Sequence, residues 1–153
     1  MPSGRASQAA FTYLLLLVVL AIVSLIATAS ISLGATMARR SAEEELLAIG
    51  AEYERALASF QAATPIGAPA RAPKALSDLL RDPRYAATRR YLRKVYADPL
   101  TASDSWGMVR APDGTIACVY SLAVGSPIQQ SGFIGRWAGF NKATTYADWC
   151  FGR

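Results

Sequence analysis

Apolar residues in this chain form one continuous run, then a periodic stripe, then short alternating stretches. The run from Ala9 to Ala38 contains Phe11, Leu14 to Leu17, Val18, Val19, Leu20, Ile22, Val23, Leu25, Ile26, Ile31 and Leu33, and no Asp, Glu, Lys or Arg occurs between Ala6 and Ala38. Its first part has no polar face, and the density of large apolar residues falls after Ile26. About 30 residues at ~1.5 Å each make a helix of roughly 45 Å, against ~30 Å of bilayer hydrocarbon. The pattern therefore predicts a membrane-spanning helix embedded over residues 11 to 30. Ser24, Thr28, Ser30 and Ser32 can return their hydroxyls to the preceding turn.

Past residue 40 the pattern becomes one-sided. Leu46, Gly50, Tyr53, Leu57 and Phe60 step by four, three, four and three, which is one face of a helix. Ile49 and Ala56 widen that face, and Glu43, Glu44, Glu45, Glu52 and Glu54 are expected mostly on the other. Residues 41–62 hold no Pro and one Gly, so a single helix is expected from 11 to 62. It would be about 75 Å long, with a transmembrane half at 11–38 and an amphipathic half at 39–62 that needs a small domain to cover its stripe.

Thr64-Pro65-Ile66-Gly67-Ala68-Pro69-Ala70-Arg71-Ala72-Pro73 ends the helix as an extended linker. Leu76, Leu79 and Leu80 predict a short helix stopped by Pro83; Tyr91, Leu92 and Val95 predict another, stopped before Pro99. Trp106 to Arg110 and Thr115 to Leu122 are β-prone and flank Asp113-Gly114, the mark of an antiparallel hairpin. Ile116, Cys118, Tyr120 and Leu122 should share one face, with Ala117 and Val119 on the other. Residues 123–145 read as loop and Thr145 to Phe151 as a final strand. The expected fold class is α+β: a long N-terminal membrane-spanning α-helix whose amphipathic half packs against a small head of short helices and an antiparallel β-sheet.

Composition narrows the chemistry. The chain has 153 residues and no histidine, which excludes imidazole general bases and the Ser-His and Cys-His nucleophile systems. Two cysteines exclude a four-thiolate zinc site within one chain. No Gly-rich phosphate loop, Cys-x-x-Cys or paired-carboxylate motif is present, so no catalytic and no metal-ligating residues are expected. Asp104, Asp113 and Asp148 read as turn or capping residues, and Trp106, Trp137 and Trp149 as core and sheet-face residues. Cys118 and Cys150 allow one intrachain disulfide, closing a loop of about 33 residues, or two buried thiols.

The net charge of +5 is concentrated between residues 71 and 94, where eight basic residues meet two acidic ones. One reading is a solvated surface whose Arg stems cover Leu and Tyr. The other is a basic surface for an acidic partner, and the stretch Glu43 to Glu54 of an adjacent subunit is the partner that the sequence itself offers. Nucleic acid is disfavoured, because aromatic interleaving is limited to Tyr85 and Tyr91.

Three accounts of the N-terminal run compete. One is a cleaved secretory signal with Arg5 as its basic end, Tyr13 to Ile26 as its apolar core and Ala27-Thr28-Ala29 as its cleavage site. Another is an uncleaved anchor, poorly oriented by charge because Arg5 on one side faces Arg39, Arg40 and Arg55 on the other. The third joins the run to the amphipathic stripe. Arg5, Ala10, the pair Phe11-Thr12 and the run Tyr13 to Ile22 are similar to the start of a prepilin. Leu76 to Leu80, Asp82-Pro83-Arg84, Arg89 to Arg93, Asp98 to Thr101 and Trp106-Gly107 are similar to the middle of the G-type branch. The chain thus resembles the pilin and pseudopilin family of type IV filaments and type II secretion systems, over residues 5 to about 122.

That resemblance implies a leader at 1–10 cut between Ala10 and Phe11 by a prepilin peptidase, with methylation of the new N-terminus. It implies a lollipop-like subunit in the bacterial inner membrane, single-pass, with a periplasmic head at 63–153 and Arg39 and Arg40 at the outer interface of the span. Its partners would be homo- or hetero-oligomers of pilin-like subunits and the inner-membrane assembly platform. Phe11, Leu15, Leu46, Tyr53, Leu57 and Phe60 would belong to the assembly helix. No cofactor is expected; major members of the branch bind calcium near the sheet, but no compact acidic cluster is visible in this sequence. The leader ends in Ala10 where Gly is usual, and Leu15 stands where the family carries an acidic residue. An unprocessed membrane-anchored periplasmic accessory or binding protein is the alternative, and a secreted, signal-cleaved binding domain the third reading.

Overall fold

The structure, a computed structural model, describes the backbone of residues 4–67, 69 and 71–152 and the side chains of 11–24, 34–67, 69 and 71–152. Two compact units are present, Met1–Ala38 and Arg39–Arg153, and helix α1 (Gly4–Ala62) contributes to both.

In the first unit every described side chain is exposed. Ser24 donates its hydroxyl to the Leu20 carbonyl at 2.7 Å, which satisfies a polar group within its own helix. The expected transmembrane half is corrected here: among the described residues no helix is long and apolar enough to cross a membrane. The leader's side chains, Ala10 included, and the alternative cleavage site Ala27-Thr28-Ala29 lie outside the described side chains.

In the second unit the stripe of α1 is the spine of the core. Leu46, Ile49, Tyr53, Ala56, Leu57 and Phe60 are buried, and Gly50 is buried among them. Gly50 is required by close packing, since a Cβ there would overlap the Phe151 ring. Trp106 meets Tyr53 edge-on with ring centroids 5.0 Å apart, and Tyr91 meets Phe60 at 5.5 Å. Phe133, Phe140, Trp149 and Phe151 form a second aromatic group, with Trp149 and Phe151 fully buried.

After the linker, α2 (Ser77–Leu80) is a single turn, shorter than the run to Pro83 suggested. The second short helix is absent. The Leu79 carbonyl accepts the N–H groups of both Tyr91 (2.8 Å) and Leu92 (3.0 Å), so the end of α2 holds this segment in a non-helical path. Strand β1 (Gly107–Arg110) pairs antiparallel with β2 (Ile116–Tyr120), from Gly107↔Tyr120 to Val109↔Cys118, with an irregularity before Arg110↔Ile116. At the turn, Asp113 accepts from the Thr115 N–H (3.1 Å) and hydroxyl (2.6 Å), and Gly114 takes a φ of 79°, which favours glycine.

The simple alternation expected of β2 does not hold. Ile116, Cys118 and Val119 are all buried, whereas Leu122 lies beyond the strand and is exposed. Val119 is covered because Phe151 bridges to it through two backbone hydrogen bonds, 2.8 and 2.9 Å long. The expected final strand from Thr145 to Phe151 is mainly a 3-10 turn, Tyr146–Asp148. Its Asp148 carboxylate accepts the N–H groups of Thr144 and Thr145, both at 2.8 Å, and these hold the carboxyl below the usual carboxylate range. A second 3-10 helix, Gly135–Phe140, lies inside the stretch expected as loop.

Candidate functional site

The residues expected to serve assembly fall into two environments. Phe11 and Leu15 are exposed, at 67% and 53%, in a helix stretch that also exposes Leu14, Leu16, Leu17, Val18, Val19, Leu20, Ile22 and Val23. Leu46, Tyr53, Leu57 and Phe60 are buried inside the second unit and offer nothing to a neighbour. Burial pushes the Tyr53 hydroxyl up to about 12, and it accepts the Tyr96 N–H at 3.1 Å. Among the described residues the continuous exposed apolar surface is therefore the N-terminal stretch, whose polar groups are Thr12, the Tyr13 hydroxyl and Ser24.

In the second unit the acidic residues of α1 are not a continuous polar face. Glu43 is 2% exposed. One carboxylate oxygen accepts the Tyr146 hydroxyl at 2.6 Å and the Ile128 N–H at 2.7 Å; the other accepts the Gln129 N–H at 3.1 Å. Tyr146 in turn accepts from Arg39 Nε at 3.1 Å, and Arg39 Nη2 donates to the Ser126 carbonyl at 3.1 Å. Burial and the Glu43 carboxylate raise the Tyr146 hydroxyl above its ordinary range. This constellation pins the 126–129 loop and the C-terminal turn to α1. Arg39 thus makes its described bonds within the second unit.

Other acidic groups are also committed. Glu54 accepts from Arg136 Nε and from the Trp137 indole N–H, both at 3.1 Å, and Glu52 pairs with Arg55 at 2.6 Å. The continuous acidic stripe expected to meet a neighbouring subunit is thus reduced, and Glu44 and Glu45 are its exposed members.

Asp82 and Arg84 close the C-terminal end of α1. Asp82, 1% exposed, accepts Arg84 Nε at 2.9 Å, Arg84 Nη2 at 2.7 Å, the Arg84 N–H at 3.0 Å and the Tyr91 hydroxyl at 2.9 Å. The guanidinium lies 3.7 Å from the Phe60 ring centroid and donates to the Phe60 carbonyl at 2.7 Å, so it also caps a terminal carbonyl of the helix. Arg84's hydrogen bonds hold the Asp82 carboxyl well below the usual carboxylate range, at about 2.

Cys118 and Cys150 are joined as a disulfide with Cα atoms 5.5 Å apart, tying β2 to the C-terminal segment. Asp98, before the hairpin, and Asp113, in its turn, are engaged within the fold. Asp98 is fully buried with one oxygen accepting the Ser121 hydroxyl at 2.6 Å and the other the Leu100 N–H at 2.9 Å, and Asp113 turns to Thr115. Among the described residues no group of three or more His, Cys, Asp and Glu side chains is placed to hold a metal.

Glu43, Arg39 and Tyr146 were missed as a group by sequence reasoning, although Glu43 carried a signal. It stands three residues before Leu46 and so extends the buried stripe by one step. Compared with known proteins, the chain matches no family model, no curated protein and no solved structure.

Proposed function

We propose that this chain is a pilin-like structural subunit that associates with copies of itself or with related subunits through its N-terminal helix. Its work is assembly, not turnover. The observation that carries the reading is the stretch from Phe11 to Val23, where large apolar side chains are exposed at 47 to 67% around the whole helix. So much uninterrupted apolar surface is stable only when covered, and in a subunit of this type the same helix of neighbouring copies covers it. The separately folded second unit supports the reading, because it completes its own core on the C-terminal part of α1. The disulfide supports a location outside the reducing cytoplasm.

Intact-mass measurement of the mature protein tests the processing. A chain starting at Phe11 with a methylated amine is the expected result; one starting at Ser30 overturns the assembly reading, and one retaining Met1 leaves an unprocessed accessory protein. Leu15→Glu addresses the departure at the usual acidic position. Improved incorporation into oligomers is expected if the missing carboxylate limits assembly, and unchanged incorporation refutes that explanation.

A further inference from the structure

The two ends of the disulfide stand in unequal surroundings. Cys118 in β2 is fully buried, whereas Cys150 is half-buried and lines two surface grooves. The larger groove, about 510 Å³, also holds Asn141, Lys142, Thr144 and Asp148; the smaller, about 170 Å³, holds Trp137 and Phe140.

The cover over Cys118 comes from the same C-terminal segment that carries Cys150. Phe151 is fully buried and makes both of its backbone hydrogen bonds to Val119, the neighbour of Cys118 in β2. Gly152 follows with a φ of 138°, so close to the strand that a Cβ on it would stand 2.8 Å from the Ala117 carbonyl oxygen and 3.0 Å from the Cys118 Cα. A reagent therefore reaches Cys118 only once residues 149–152 lift from β2, which takes Trp149 and Phe151 out of the core. Cys150 faces no such barrier.

In thiol–disulfide exchange the rate depends on which sulfur an incoming thiolate can reach and on how readily the other sulfur leaves. We propose that Cys150 is the exchange site of this bridge and Cys118 its buried resolving cysteine, the outside reactant being a thiol or disulfide of a small molecule or of a thiol oxidoreductase. In reduction, an external thiolate bonds to the Cys150 sulfur and the Cys118–Cys150 bond breaks. Its electron pair leaves on the Cys118 sulfur, which takes a proton from solvent. A second external thiolate then displaces the Cys150 sulfur, which is protonated in turn; the external thiols end as a disulfide and both cysteines are reduced. Oxidation runs through the same mixed disulfide in reverse, an external disulfide capturing Cys150 and the Cys118 thiolate expelling the captured thiol. The site is independent of the N-terminal helix and of the assembly reading.

The test uses the full oxidised chain, folded in a nonionic detergent and treated briefly with reduced glutathione. After acid quenching, free thiols are blocked with N-ethylmaleimide and the chain is cut with trypsin. Cleavage after Arg136 and Lys142 places the two cysteines on separate peptides for mass spectrometry. Glutathione should sit on the Cys150 peptide and maleimide on the Cys118 peptide, with about a tenfold or greater preference over the opposite pattern. In urea the preference should fall toward one, because burial is its cause. Equal labelling in the folded chain, a preference for Cys118, or a preference undiminished in urea overturns the proposal. The oxidising direction is read from Cys118→Ser and Cys150→Ser, each with one free thiol: glutathione disulfide should modify Cys150 about tenfold faster than Cys118, and a faster Cys118 overturns the order. The measurement on the wild-type chain decides even where a serine variant does not fold.

Discussion

Asp82→Asn replaces a buried carboxylate by a group of the same shape and no charge, and its effect can be worked from the geometry around Arg84. The carboxylate accepts two side-chain bonds at 2.7 and 2.9 Å from a guanidinium that also caps α1 and lies on the Phe60 ring. Its pKa of about 2, against an ordinary 3.8, means that the folded state prefers the ionised form by nearly two units, or about 2 kcal/mol. Because the folded pKa is depressed, this stability is fully present above about pH 4 and is lost as pH falls through about 2. Urea unfolding of the full chain, followed by near-ultraviolet dichroism of the buried tryptophans, should show the variant about 2 kcal/mol less stable at pH 7. The gap should close between about pH 4 and pH 2, where wild type loses the same term. A difference under about 0.5 kcal/mol at pH 7, or a gap undiminished at pH 2, would refute the clamp, since exposed ion pairs deliver only that much and have no such pH signature.

Glu43→Ala leaves the N–H groups of Ile128 and Gln129 and the Tyr146 hydroxyl without their acceptor, so a loss of about 3 kcal/mol is expected in the same assay. Tyr146→Phe should cost less, about 1 to 2 kcal/mol, because both backbone bonds to Glu43 survive. Gly50→Val places side-chain atoms where the Phe151 ring lies, and about 2 to 3 kcal/mol of destabilisation should follow, with faster amide exchange at Val119 and Phe151. Reduction of Cys118–Cys150, separated by 32 residues, should lower stability by roughly 3 to 4 kcal/mol, measured as a shift in the urea midpoint between oxidised and reduced protein.

What was legible in the sequence was local. Periodicity of 3.6 residues marked Leu46, Tyr53, Leu57 and Phe60 as one face, because helical geometry places residues three and four apart on the same side whatever the rest of the chain does. Asp113-Gly114 marked the hairpin because a turn needing positive φ selects glycine over a span of four residues. The same locality explains the errors. A short apolar run around Tyr91 and Leu92 suits a helix, but Leu79, twelve residues earlier, captured its N–H groups.

Tertiary structure alone decided which charges are buried. Glu43 and Glu44 are chemically equivalent neighbours on α1, and a loop 85 residues away selects the first by presenting two backbone N–H groups to it. A buried carboxylate is tolerated only where donors converge, and convergence of distant backbone is a property of the folded chain.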